Sequence, residues 1–505
     1  MTEQKQQFVS IVQWLKTVCP GGELFSDSRE ITPATGNAVF FAYEGDSTDG
    51  RRYISKAIEN GAGAVVYEAE GFAWNPDWKV PHLGVVGLKA QAGPVADAYY
   101  GSPASSMFVV AVTGTNGKTS CTQWIGQSLS ALGRKTAVIG TLGITVFEKG
   151  ESGIPEETGY TTPDQVQLQR NLAELYKQGV ECVALEASSI GIDQGRLNGL
   201  HIDVALFTNF TRDHLDYHHD MASYKAAKRR LFDWPGLAQA IVNLDDPMGR
   251  ELACELKTKV ALTGYTLDHV EADLPVLKGS DIRYRASGIE FKVDSPAGSA
   301  RIRTRLIGRF NVSNALGVLG VLLCAGVSWE EAVLSLGNLT PPTGRMQQMG
   351  GKEAPLVVID FAHTPDALEK GLVTLRQVAT DRGGKLWCVF GCGGDRDHGK
   401  RPQMGAVADL ADFVIVTSDN PRHENPREIM RQIVSGMEKE PLECEDRATA
   451  ILQAVRQASK NDVILLAGKG HEAYQEVNGT KLPFVDADHV ALALASRVAL
   501  NKAAT

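Results

Sequence analysis

The densest grouping of chemically capable residues is Thr113-Gly114-Thr115-Asn116-Gly117-Lys118-Thr119. Two glycines let the backbone curl closely around an anion, a lysine supplies a point charge, and the last hydroxyl can reach a divalent cation. The run stands between a continuous apolar stretch, Phe108–Val112, and a helical pattern over Ser120–Leu132. Strand, glycine turn and helix in that order set backbone N–H groups and the positive end of a helix dipole against phosphate. The form Gly-x-x-Gly-Lys-Thr lacks the first glycine of the general phosphate-loop pattern, whose place Val112 takes. The run by itself indicates binding of ATP or GTP, with Mg²⁺ beside Thr119.

Such a loop needs a buried sheet behind it. A chain of 505 residues exceeds what one hydrophobic core organises, so several domains are expected. Residues 1–90 begin with an amphipathic segment, Phe8–Val18. They continue with strand-like runs at Ala38–Ala42 and Ala64–Tyr67 around a helical Tyr53–Asn60. Over 91–339, apolar runs at Phe108–Val112, Thr136–Ile139, Cys182–Leu185, Val204–Phe207 and Ala240–Val242 alternate with helical patterns, closing on a long helix at Val312–Ala325. Pro341-Pro342-Thr343-Gly344 reads as a linker. Beyond it, over 340–505, strands are expected at Leu356–Ile359, Leu386–Phe390, Phe413–Val416 and Val463–Leu466. The fold class is therefore α/β with three domains. A small N-terminal α/β domain precedes a central P-loop domain with a doubly wound, mostly parallel sheet, and a Rossmann-like α/β domain follows.

The formal charge of −9 argues against non-specific binding to nucleic acid. No run of 18 apolar residues occurs, and Met1–Gln7 is polar, so neither a membrane span nor a signal peptide is expected. Eight cysteines are scattered without a C-x-x-C pair, which suits buried thiols in a reducing compartment. A cytoplasmic monomer acting on small molecules is the expectation.

Further blocks follow the loop: Glu186-Ala187-Ser188-Ser189, Thr208-Asn209-Phe210-Thr211-Arg212-Asp213-His214, Ala226-Ala227-Lys228, Asn243-Leu244-Asp245-Asp246 and Gly308-Arg309-Phe310-Asn311. Gly344-Arg345 and Asp360-Phe361-Ala362-His363-Thr364-Pro365 close the series. In this order the blocks resemble the Mur ligases over essentially the whole chain. Asp27-Ser28-Arg29, Gly391-Cys392-Gly393-Gly394-Asp395-Arg396 and Gly468-Lys469-Gly470-His471-Glu472 resemble the members that act on UDP-N-acetylmuramoyl-L-alanyl-D-glutamate, and Asp419-Asn420-Pro421-Arg422 resembles their branch that adds meso-diaminopimelate. The resemblance implies an ATP-dependent ligase acting on UDP-N-acetylmuramoyl-L-alanyl-D-glutamate through an acyl phosphate, in peptidoglycan precursor synthesis. It assigns precursor, ATP and amino acid to the first, second and third domains.

It also distributes roles. Lys118, Glu186, His214, Arg345 and a carbamylated Lys228 (N6-carboxylysine) would serve catalysis, and Thr119, Glu186, His214 and Lys228 the Mg²⁺ sites. Gly114, Thr115, Asn116, Gly117, Lys118, Thr119, Ser120, Asn243, Asn311 and Asp360 would bind ATP. Ser26, Ser28, Asp46, Ser47, Thr48, Tyr160, Thr161, Thr162, Ser188, Gln194 and Arg196 would hold the UDP-muramoyl peptide. Arg396, Asp419, Asn420, Pro421, Arg422, Gly468 and Glu472 would hold diaminopimelate. Without the resemblance, Lys228 beside Lys225, Arg229 and Arg230 reads as a solvated helix lysine. Two guanidiniums suit the carboxylates of diaminopimelate, and Glu472 its distal ammonium. Ile190 stands where many relatives carry histidine after the paired serines. The alternatives are a lysine-adding ligase, a folylpolyglutamate synthetase and a nucleotide-binding module without catalysis.

Overall fold

A computed structural model describes residues 3–45, 48–268, 270, 272–285 and 288–503; Asp46 and Ser47 lie outside the described residues. Four parallel strands, Glu23–Phe25, Ala38–Ala42, Ala62–Glu68 and His82–Val85, form the first sheet. The helix Leu88–Tyr100 buries Leu88, Ala92, Val95, Ala96 and Tyr99 in one cluster with Ile11 and Leu15 of the first helix. A domain limit at 90 falls inside this helix.

The central sheet explains why its strands read as unbroken apolar runs. Neighbouring side chains on a strand point to opposite faces, and both faces are covered. Val109 and Ala111 pack into one cluster with Leu168 and Leu172. Val110 and Val112 pack into the other with Trp124, Ile125 and Leu316. Burying each such side chain contributes about 1.5–3 kcal/mol. Phe108–Thr113 lies between Val204–Phe207 and Cys182–Glu186, all three parallel. The next strand in the chain, Thr136–Gly140, lies beyond Cys182–Glu186, whereas Gln239–Asn243 lies on the other side, beyond Val204–Phe207. The strand order thus reverses at the phosphate-loop strand, where open α/β sheets form a ligand crevice at the carboxyl ends of their strands.

An antiparallel extension, Gly288–Ser295 and Gly298–Thr304, lengthens this sheet at one edge and was not foreseen. The phosphate-loop helix begins at Lys118 rather than Ser120, and the late helix at Arg309 rather than Val312. The expected helix Tyr53–Asn60 is a 3-10 turn, Gly50–Tyr53, followed by Ile54–Glu59. The third sheet has parallel strands Leu356–Asp360, Val463–Ala467, Leu386–Phe390, Phe413–Val416 and Leu442–Glu443, edged by antiparallel Gln347–Gly350. All eight cysteines are free, and Cys388 and Cys392 are buried. Among the described residues no helix is long and apolar enough to cross a membrane.

Candidate active site

The loop after Phe108–Thr113 is shaped from behind by the segment after Val204–Phe207. Thr115 N donates to Asn209 O (2.8 Å), Asn116 N to Asn209 Oδ1 (3.0 Å), and Thr208 Oγ1 to Asn116 O (2.6 Å). Gly114 has φ +148°, and an added Cβ would lie 1.9 Å from Thr208 Oγ1, so only glycine fits. Lys118 Nζ folds back onto the carbonyls of Gly114 and Thr115, 2.9 Å from each.

Around the loop opens a cleft of about 650 Å³. Its floor carries Glu186, 1% exposed at the end of its strand. The Glu186 carboxylate accepts from Thr141 N (2.9 Å) and Thr141 Oγ1 (3.1 Å). Lys228 is 1% exposed, donates to Gly114 O at 2.8 Å, and stands 4.6 Å from the Tyr224 ring centre. Burial first, and then the Lys118 charge, pull its pKa well below the ordinary lysine value. His214 sits in left-handed backbone (φ +53°), and burial lowers it to about 4. Asp213, 3.5 Å from His214 Nε2 and 3.7 Å from His363 Nε2, is held low. Burial opposes that shift, but the adjoining imidazoles of His363 and His214 and the Lys400 charge outweigh it.

The C-terminal domain closes over this centre. Arg345 Nη2 donates to Thr119 Oγ1 (3.0 Å), and its guanidinium lies 4.5 Å over the Phe361 ring. Gly344 has φ +67°, and an added Cβ would lie 2.1 Å from His471 N, so the linker is wedged against the 470–471 turn. Asn116 Nδ2 reaches Asp366 Oδ2 (3.1 Å), and Arg212 reaches Asp397 (3.1 Å), both across the domain boundary. A second cleft, of about 550 Å³, runs behind the loop past Gly117, Ser120, Asn243, Asn311 and Asp360.

The same 650 Å³ cleft reaches Tyr160, Thr161, Thr162, Ser188 and Arg196 on one side. Ser188 and Thr162 share a hydroxyl contact of 2.9 Å, and Arg196 Nη1 donates to Thr162 O (2.8 Å) with its guanidinium over Tyr160. Gln194 lies just behind and accepts from Arg196 Nε at 2.8 Å. On the opposite side stand Arg396, Asp419, Asn420, Arg422, Gly468 and Glu472; Pro421 is buried beneath them. Of the first-domain residues, Ser26 donates to Asp164 Oδ1 (2.6 Å), Ser28 is buried, and Thr48 O accepts from Gly45 N (2.9 Å). None of these three lines the cleft.

Three family models match consecutive parts of the chain. They are the Mur ligase family catalytic domain over 24–100, the Mur ligase middle domain over 112–322, and the Mur ligase glutamate ligase domain over 344–470. A UDP-N-acetylmuramoyl-L-alanyl-D-glutamate--2,6-diaminopimelate ligase of Janthinobacterium sp. (strain Marseille) is 59% identical over 496 residues, 97% of either chain. The chain belongs to the Mur ligase family. A protein of the same description from Ralstonia nicotianae (strain ATCC BAA-1114 / GMI1000) is 49% identical, covering 96% of both. A solved structure of such a ligase is 34% identical, with TM-score 0.65, over 96% of this chain and 99% of its own.

Three features of this Mur ligase site escaped the sequence reading. Asp213 and His363 carry no evident role in their own motifs, because they meet only across two domains. Thr141, the partner of Glu186, lies in no singled-out block. Lys469 is fully buried, and its ammonium donates to Asn420 Oδ1 and Glu472 Oε2, each at 3.0 Å. Glu472 therefore already has a cation partner inside the protein. The signal was present, since Lys469 and Glu472 are three residues apart in a glycine-rich turn.

Proposed function

We propose that this Mur ligase joins meso-diaminopimelate to the D-glutamate carboxylate of UDP-N-acetylmuramoyl-L-alanyl-D-glutamate, with ATP converted to ADP and phosphate. The observation that carries the reading is the single cleft in which a phosphate loop, a buried carboxylate and a buried lysine face two guanidiniums on loops of another domain. Names and identities of the full-length relatives support the same substrate pair.

The chemistry follows from the residues. A carboxylate is a poor electrophile, so its oxygen first takes the γ-phosphoryl group of ATP, releasing ADP and leaving an acyl phosphate. The amine of diaminopimelate then attacks the acyl carbon. The tetrahedral intermediate loses a proton from nitrogen and expels phosphate. Lys118 and Arg345 would neutralise the oxygens of the group in transfer. Arg345 Nε is buried without a hydrogen-bond partner among the described residues, as a phosphate contact would require. Asn243, Asn311 and Asp360 line the second cleft, where the adenosine would lie. Thr161, Thr162, Ser188 and Arg196 would take the peptide, and Ser26, Ser28 and the 46–48 segment the uridine end. Arg396 and Arg422 would take carboxylates of the incoming amino acid.

The donors suit Mg²⁺ at two places: Thr119 would help hold one ion through its hydroxyl, and Glu186 and His214 the other through a buried carboxylate and an imidazole. Bound there, Mg²⁺ neutralises phosphate charge. An ammonium at Lys228 would oppose that, whereas its burial favours the neutral amine. Neutral amine adds to CO₂, forming an N–C bond and releasing a proton, and the resulting carbamate presents oxygen. The reading places the enzyme in the cytoplasm as a monomer.

The test is phosphate release by the purified protein with ATP, Mg²⁺ and UDP-N-acetylmuramoyl-L-alanyl-D-glutamate, comparing meso-diaminopimelate with L-lysine. Turnover with diaminopimelate alone is expected. Equal or faster turnover with lysine overturns the pocket assignment. Silence with both amino acids overturns the ligase reading.

A further inference from the structure

The two arginines assigned to the amino acid stand on different loops, and what fixes their separation lies beneath the cleft. Arg401 is fully buried in the helix Lys400–Ala408. Its Nη1 and Nη2 donate to Glu424 Oε2 and Oε1, each at 2.8 Å, in a two-pronged pair. Nη2 also donates to Gly393 O (3.1 Å), and Nη1 to Gln432 Oε1 (2.7 Å). Glu424 in turn accepts from Asp395 N and faces His398 Nε2 at 3.2 Å. One buried guanidinium and one carboxylate thus grip both the 393–395 loop and the 420–424 loop.

The grip bears directly on the two arginines. Arg422 Nη1 donates to Gly394 O at 2.7 Å, and Gly394 N donates to Asn420 O at 2.9 Å. An added Cβ at Gly393 would lie 2.9 Å from Arg422 Nη1 and 3.9 Å from Arg396 Cγ, so the backbone of residue 393 is the point between them. Asp395 and Arg422 both hold left-handed backbone, at φ +52° and +50°. Non-glycine residues keep that conformation only where surrounding contacts over-determine it. The hydrogen bonds from Arg401 also keep the Glu424 carboxyl down at about 2, so the pair stays ionised across the working pH range.

We infer that Arg401 and Glu424 are positioning residues that set the distance between Arg396 and Arg422, and so the preference for an amino acid carrying a carboxylate at each end. This rests on the proposed reading of the two loops as the amino-acid site. A bidentate guanidinium–carboxylate pair is directional, so it can hold a spacing that a lysine or a neutral amide would leave loose. Neither side chain lines the cleft, so neither is a catalytic residue.

The test compares wild type with Glu424→Gln, Glu424→Asp and Arg401→Lys in two measurements. In steady-state assays, Glu424→Gln is expected to raise KM for diaminopimelate about tenfold and cut the diaminopimelate-to-lysine preference by a similar factor. KM for ATP and for the UDP-linked peptide should stay within about twofold, and Glu424→Asp should recover part of the loss. A uniform loss across all three substrates, or no change, overturns the inference. Hydrogen exchange of the full-length protein without substrates should show faster exchange at 391–397 and 419–424 in Glu424→Gln and Arg401→Lys, with 113–119 unchanged. Unchanged exchange at both loops overturns the positioning role, whatever the assay shows. Wild type silent with diaminopimelate would instead sink the functional reading, leaving the exchange result to decide the clamp.

Discussion

On the central-domain wall of the cleft, Lys118 and Lys228 rest on backbone carbonyls of the phosphate loop, and Glu186 rests on a threonine one strand away. On the C-terminal wall, Arg396 and Arg422 stand on two loops tied by the Arg401–Glu424 ion pair, while Lys469, paired with Glu472, holds Asn420. On the proposed reading, the first wall, built at the carboxyl ends of central strands, handles phosphate, which every reaction cycle presents alike, and the second must discriminate one amino acid from another. Main-chain acceptors survive most sequence change, whereas side-chain clamps can be retuned. A scaffold with one wall of each kind can keep its phosphate chemistry while its amino acid varies.

The largest effect should come from the first wall. Lys228→Met is expected to lower kcat by on the order of 10³-fold, the scale seen when one preorganised charge-stabilising group is lost. Folding stability should hold or rise, because an apolar isostere replaces a buried polar group. Denaturant titration beside phosphate release checks both, and a folded variant with unimpaired turnover would end the carbamate reading. Next, Arg422→Ala should raise KM for diaminopimelate by about 10–100-fold, about 1.4–3 kcal/mol for a lost charge-assisted contact. KM for ATP should stay put; if both rise together, the two walls are not separable.

Acid should weaken both walls. Burial holds His214 down at about 4 and His471 down at about 3. Unfolded, each titrates near about 6.5. Between those values the unfolded chain binds more protons, so stability falls as pH drops from about 6.5 toward 4, and these groups add no slope above that. Urea midpoints at pH 7 and pH 5 should converge in His471→Gln and in His214→Gln. The larger convergence identifies the more acid-sensitive wall. The smallest effect belongs to the exposed cross-wall pair, Arg212 with Asp397. Arg212→Ala should cost under about 1 kcal/mol in stability, and still less at high salt.

Contiguous features were legible in the sequence. Thr113–Thr119 carries its own strand, turn and helix signals, and the parallel strands declared themselves as apolar runs because both faces are covered. Lys228 was legible only by resemblance, because its neighbours are solvated: Lys225 pairs with Glu251, and Arg229 with Glu255. Tyr224 and Lys228, one helical turn apart, are the ones that point inward. The antiparallel extension hid behind charge, since its buried Glu290 pairs with Arg301 and Arg303. The Asp213–His363 contact joins residues 150 positions apart on two domains, and no local pattern encodes it.

Gly344 and Arg345 have a consequence for economy in the cell. The joint between the second and third domains carries the guanidinium that reaches Thr119. On the proposed reading, an outward swing about that joint would withdraw this charge from the nucleotide in the same motion. An enzyme held open would thereby be disarmed, and idle breakdown of ATP between encounters with substrate would be checked by anatomy, without a separate inhibitor.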